Sequence, residues 1–137
     1  MLSSTRRGFI QQATALLAAT GLFTSFTNNI MKKREKNIFI HHVYFWLKNP
    51  DNAEDRAKLL EGLEKLAEVK SIRSVHIGKP APTNREVIDS SYAFSWMTTF
   101  KTAADQDSYQ VDPIHLDFVK NYSHLWSKVI VYDSIDV

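Results

Sequence analysis

The chain's 137 residues make one domain's worth of protein, and 44% hydrophobic with 23% charged residues is ordinary globular composition, which sets disorder aside. Cysteine is absent, excluding disulfides, thiol nucleophiles and thiolate metal sites. The formal charge of +2 sits at the start: without Arg6, Arg7 and the run from Lys32 to Lys36, the remainder is mildly acidic and has no clustered basic face for nucleic acid.

In chain order, Ser4-Thr5-Arg6-Arg7-Gly8-Phe9-Ile10 precedes an apolar stretch from Ala13 to Phe26. Paired arginines before a mild Ala/Leu/Thr-rich core resemble a twin-arginine export signal. The apolar stretch is shorter than the ~20 residues a membrane-spanning helix needs. Residues 1–30 are therefore read as an export signal, 31–37 as a basic linker and 38–135 as the domain, with a periplasmic or otherwise exported destination. Thr24 to Asn29 matches a cleavage site only loosely, so an uncleaved segment anchoring the chain in the membrane stays open. An ordinary secretory signal and a buried N-terminal helix are the plainer alternatives.

Ile38 to Leu47 is rich in β-branched and aromatic residues and predicts a strand that is apolar on both faces. Asn49-Pro50-Asp51 breaks it, and Asp51 with Glu54 predicts a capped helix to about Val69. Leu59, Leu60, Leu63, Leu66 and Ala67 form the apolar stripe of that helix. Ile72 to Ile77 predicts a second strand, residues 79–90 a long loop, and Tyr92 to Phe100 a third strand. Thr102 caps a short helix to Val111, and Asp112-Pro113 starts another that runs to about Trp126. Val129 to Tyr132 predicts the last strand.

The order β-α-β-β-α-β is the ferredoxin-like α+β arrangement, with helices on one face of the sheet. Nothing in the predicted elements covers the other face, and a second copy packed sheet against sheet is the simplest cover. A homodimer through the sheet faces is therefore expected.

The run His42-Val43-Tyr44-Phe45-Trp46-Leu47-Lys48 resembles the start of the stress-responsive α/β-barrel family, also called Dabb. Val75-His76-Ile77-Gly78, Ser91-Tyr92-Ala93-Phe94, Tyr109 to His115 and Val129 to Asp133 agree in order and spacing across residues 38–135. The resemblance implies a dimeric α/β barrel with a cavity between sheet and helices. One plant branch of the family resembles a polyketide cyclase, whose active site uses histidines and a tyrosine to deprotonate and fold a poly-β-ketone chain. Carried across, the resemblance implies catalytic roles for His42, Tyr109 and His115. Phe94 and Asp112 stand where that branch has two further histidines.

His115 lies three residues after Asp112, whose carboxylate would raise its basicity, and Tyr109 is placed to donate to a carbonyl or enolate oxygen. The plainer account has Asp112 capping its helix, His115 closing the cap and Tyr109 packing in the core. His42 is placed toward the cavity and His41 away from it, because neighbours on a strand point to opposite faces. Phe94, His76, Asp112 and Trp96 complete the candidate ligand-binding set. His42, His76, His115 and Asp112 lack the local spacing of a metal site, so no metal is expected, and no haem or flavin motif is present. Two readings stay open: a barrel binding a small apolar or carbonyl compound, with acid–base chemistry, or a non-catalytic stress or envelope protein acting as a stable homo-oligomer.

Overall fold

A computed structural model describes residues 35–137; the export-signal reading lies outside the described residues, as does most of the basic linker. Strand β1 (Phe39–Leu47) leads to helix α1 (Ala53–Leu66), then β2 (Ser74–Gly78) and β3 (Phe94–Phe100). Helices α2 (Ala103–Gln110) and α3 (Pro113–Tyr122) follow, and a short 3-10 turn at Ser123–Leu125 delivers the chain into β4 (Trp126–Ile135). The four strands form one sheet in the order β2-β3-β1-β4, antiparallel throughout. This is the ferredoxin-like α+β fold.

Local chemistry explains most element boundaries. Helix α1 is capped by Asn52 rather than Asp51, since the Asn52 side chain accepts from the backbone N–H groups of Glu54 and Asp55. Asn49 donates to Asp55, which draws the Pro50 turn against the first helical turn. Thr102 caps α2 by accepting from the Asp105 N–H. Asp112 is extended, as a residue before proline must be, and its carboxylate accepts from the Ile114 N–H while Pro113 occupies the first helical position. The last strand is much longer than residues 129–132, because pairing with all of β1 extends it in both directions. Edge pairing of that kind leaves no local trace in the sequence.

Alternation on β1 sorts the sheet into two faces. Phe39, His41, Val43, Phe45 and Leu47 turn toward the helices, and all but Phe39 are buried. Ile40, His42, Tyr44 and Trp46 turn to the opposite face and are half-buried. The core joins Val43, Phe45 and Leu47 to Leu59, Leu63 and Leu66 of α1, Trp96 and Phe100 of β3, and Phe118 and Tyr122 of α3. Helices α1 and α3 meet at Gly62, where an added Cβ would stand 2.9 Å from three atoms of the Tyr122 ring. A bare Cα is what permits that approach. Among the described residues no helix is long and apolar enough to cross a membrane.

Candidate active-site cavity

The helix side of the sheet holds a cavity of about 150 Å³, bordered by His41, Trp96, Tyr109 and His115 among aliphatic and aromatic side chains. Its outer border is formed by Val119, Val129 and Val131, which are partly exposed between α3 and the β4 edge. Val43, Phe45, Leu66 and Phe118 close its inner side.

His41 enters this cavity from β1. Its register partner on β4 is Asp133, and paired residues of antiparallel strands share a face. The His41 Nδ1 lies 2.7 Å from Asp133 Oδ1. An ionised carboxylate can only accept, so Nδ1 carries the proton and Nε2 of the neutral ring keeps its lone pair. The imidazole is buried while the carboxylate remains half-exposed at the sheet edge. Asp133 therefore sets both the tautomer and the orientation of His41.

His115 reaches the cavity from the first turn of α3. Its Nδ1 lies 3.1 Å from the Gln110 carbonyl oxygen. A carbonyl likewise only accepts, which again leaves Nε2 as the free acceptor. Burial lowers the His115 pKa; the Gln110 hydrogen bond opposes this, the nearby His41 adds to it, and the Asp112 carboxylate opposes it weakly. The expected Asp112 partnership is thus secondary, because the Asp112 carboxylate is engaged in capping the helix.

Tyr109, at the end of α2, packs between the two imidazoles. Ring centroids are 5.7 Å apart for His41 and Tyr109 and 4.6 Å for Tyr109 and His115. Burial pushes the Tyr109 phenol well above its ordinary pKa, so it stays protonated and acts as a donor. Trp96, completely buried on β3, forms the neighbouring wall.

The remaining candidates fall elsewhere. His42 is on the opposite face of the sheet from Tyr109 and His115, its Nδ1 3.3 Å from the Tyr44 hydroxyl. It does not border the cavity; the histidine that does is its neighbour His41, because the helices cover the other half of the β1 alternation. His76 also lies on the open face, since His42 and His76 both pair with Met97. Phe94 is a core residue with the Arg56 guanidinium 5.2 Å from its ring centre, and it does not border the cavity. With His42 and His76 on one face and His115 on the other, these three cannot converge on one ion. No group of three or more His, Asp or Glu among the described residues is placed to hold a metal.

Asp133 was legible only in part. It follows directly on the expected strand Val129–Tyr132, and a carboxylate at a strand edge invites a cross-strand partner. His41 carried a clearer sign: it alternates with Val43, Phe45 and Leu47, the less amphipathic of the two β1 sets.

A two-layer ferredoxin-like fold with a small His/Tyr-lined cavity between sheet and helices defines a class of small cavity-bearing α+β proteins. The model of the Stress responsive A/B Barrel Domain family, Dabb, matches residues 39–136, and the chain belongs to that family. Among solved structures, a Dabb protein from Mesorhizobium loti matches at TM-score 0.62 and 20% identity, over 73% of this chain and 97% of that one. A dimeric ferredoxin-like protein of unknown function from Bacteroides fragilis matches at TM-score 0.58 and 16% identity, over 75% of this chain and all of the other. The hydroxynitrile lyase of Passiflora edulis matches at TM-score 0.63 and 18% identity, over 75% of this chain and 96% of that one. No curated protein sequence matches the chain significantly.

Proposed function

We propose that this protein binds a small carbonyl-containing compound in the cavity and transfers a proton on it. The observation that carries this reading is the convergence of His41, Tyr109 and His115 on one cavity, with both imidazole Nδ1 atoms engaged and neither Nε2 atom hydrogen-bonded among the described residues. His41, backed by Asp133, is the base that takes a proton from the carbon beside the carbonyl. Tyr109, held protonated, donates to the oxygen on which charge develops. His115, kept neutral by burial, offers a second acceptor that orients a hydroxyl or water.

The size of the cavity narrows the substrate. About 150 Å³ is the volume that accommodates a benzene-sized guest, so one ring or a short chain fits and an extended poly-β-ketone does not. The chemistry of polyketide cyclisation therefore survives only as its elementary proton transfer. The Passiflora edulis lyase on the same fold supports a catalytic use of this architecture.

The working unit is a homodimer joined through the open sheet face. Ile40, His42, Tyr44, Trp46, Ile130 and Tyr132 lie there with no helix over them among the described residues, and Ser91 and Tyr92 of the loop before β3 touch only Tyr44 and Trp46 of this set. The Bacteroides fragilis protein of this fold is dimeric. Export by the twin-arginine route is supported by residues 4–26. Arg6→Lys/Arg7→Lys is expected to retain the protein in the cytoplasm, and unchanged export in fractionation would exclude that route.

Deuterium exchange at carbon tests the catalytic reading. Acetone, acetophenone and short 1,3-diketones in D2O are followed by proton NMR with and without the protein. Faster α-proton exchange, lost in His41→Phe, is the expected result. Exchange at the buffer rate for every compound would favour the non-catalytic homo-oligomer.

A further inference from the structure

A second recess, of about 250 Å³, lies on the open face of the sheet, bordered by Tyr44, Trp46, Asp89, Tyr92, Ile130 and Tyr132. Tyr44 and Trp46 stand on β1, Ile130 and Tyr132 on β4, and Asp89 and Tyr92 on the loop before β3. The rings meet edge to face. Tyr44 lies 4.9 Å from Tyr92 and 6.1 Å from Tyr132, and Trp46 lies 6.4 Å from Tyr92, at interplanar angles of 74°, 78° and 77°. Rings set at such angles turn their electron-rich faces in more than one direction. The carboxylate is held in place. Trp46 Nε1–H donates to Ser91 Oγ at 2.9 Å, and the Ser91 hydroxyl and backbone N–H donate to Asp89 Oδ1 at 2.6 and 2.8 Å. Those two Ser91 bonds hold the Asp89 carboxyl below its ordinary pKa, so it is ionised. Asp89 makes no salt bridge among the described residues. Lys128 lies instead over Trp46, its Nζ 4.3 Å from the ring centre, and does not border the recess. That contact shows that this indole attracts an ammonium.

We propose that this recess binds a small alkylammonium ion, its methyl groups against the aromatic walls and its charge balanced by Asp89. Ring faces attract a cation within about 6 Å of their centres, and the carboxylate adds a countercharge. A neutral guest would gain only the apolar contact. The supply of acceptors selects a methylated head over a bare one. A primary ammonium brings three N–H donors, and one Asp89 oxygen is already engaged by Ser91. A quaternary head brings none and covers the rings instead. The space exceeds the ~150 Å³ that holds a benzene-sized guest, so a trimethylammonium group fits. This site is separate from the cavity of His41, Tyr109 and His115, which lies on the other face of the sheet. Tyr44, Ile130 and Tyr132 also belong to the face assigned to a second copy. All six bordering residues come from one chain, so the recess is complete in a single copy.

The experiment compares choline with 3,3-dimethylbutan-1-ol, which has the same shape with carbon in place of the charged nitrogen. Saturation-transfer NMR on the full chain reads both, at a protein concentration low enough for sedimentation to give the monomer mass. Choline is expected to bind at least ~10-fold more tightly than the alcohol and to be displaced by tetramethylammonium. Tyr132→Leu removes one wall and should weaken choline about tenfold while changing the alcohol little. That ring is 63% exposed, so the variant keeps the fold. Asp89→Asn should weaken choline about threefold and flatten the dependence of its binding on salt. Equal binding of choline and the alcohol would overturn the proposal. Choline binding that both variants leave unchanged would place the cation elsewhere and overturn it as well, and so would a complete absence of saturation transfer to choline.

Discussion

The two faces of the sheet carry similar residues and put them to different uses. On the helix side, His41 is buried against Tyr109 and engaged by Asp133. On the open side, His42 lies beside Tyr44, with Tyr132 opposite it on β4 and no carboxylate partner among the described residues. Consecutive residues of one strand thus sit in a buried cavity wall and on a half-exposed aromatic surface. A histidine's neighbours across the sheet decide its chemistry. A shift of one residue in register would exchange the two roles.

Exchanging these residues one at a time is the sharpest way to break the comparison. His41→Phe should lower any α-proton exchange activity by at least ~100-fold, as expected for loss of a general base, while His42→Phe leaves it unchanged. Equal losses from both, read by the same NMR exchange assay, would erase the distinction between the faces.

The open face is tested by charge. Tyr44→Asp places a carboxylate where a second copy would exclude water, and should weaken self-association ~100-fold or more, seen as a halved mass in sedimentation. A wild-type chain that sediments as a monomer at high micromolar concentration would remove the dimer altogether. The cavity-side substitution His41→Phe should leave the mass unchanged.

Helix packing over the closed face gives a smaller effect. Gly62→Ala improves helix propensity by about 1 kcal/mol, yet forces its Cβ against the Tyr122 ring. That ring is stacked on Phe118 and its hydroxyl is hydrogen-bonded to Lys65 and Glu61, so it cannot swing away freely. The expected net is a loss of about 1 kcal/mol, within the usual range for overpacking, measured by urea denaturation. A stabilised variant would show that α1 and α3 can part without cost.

Acid should produce the mildest change, and it draws on both faces. Burial lowers the pKa of His42, helped by His76 and His41, and burial also lowers that of His115. Below their ordinary value of 6.5 the unfolded chain then binds more protons than the folded one. Stability is therefore full above that pH and falls as the pH drops through it toward the folded-state values. Thermal melts from pH 7.5 to 5.5 should show a declining midpoint, with a shallower decline in His115→Gln; a flat profile would contradict both assignments.

Much of this architecture was legible from short-range rules. Thr102 and Asp112-Pro113 announced their helices because a cap satisfies backbone donors within three residues. The long β4 was not legible, since its ends are held by hydrogen bonds to a strand about ninety residues away in sequence. The same distance hid Asp133 from His41.

By itself, the sequence determined that His41 and His42 point to opposite faces, that two helices cover one face, and that Tyr109, Asp112 and His115 cluster near one helix start. Alternation and capping are local, so they need no knowledge of the fold. Only the tertiary structure decided which histidine meets the tyrosine, which carboxylate holds it, and that Trp96 and Tyr109 border one cavity. Those outcomes depend on which face the helices bury, and that choice is made by the packing of Leu59, Leu63, Phe118 and Tyr122 against the whole sheet.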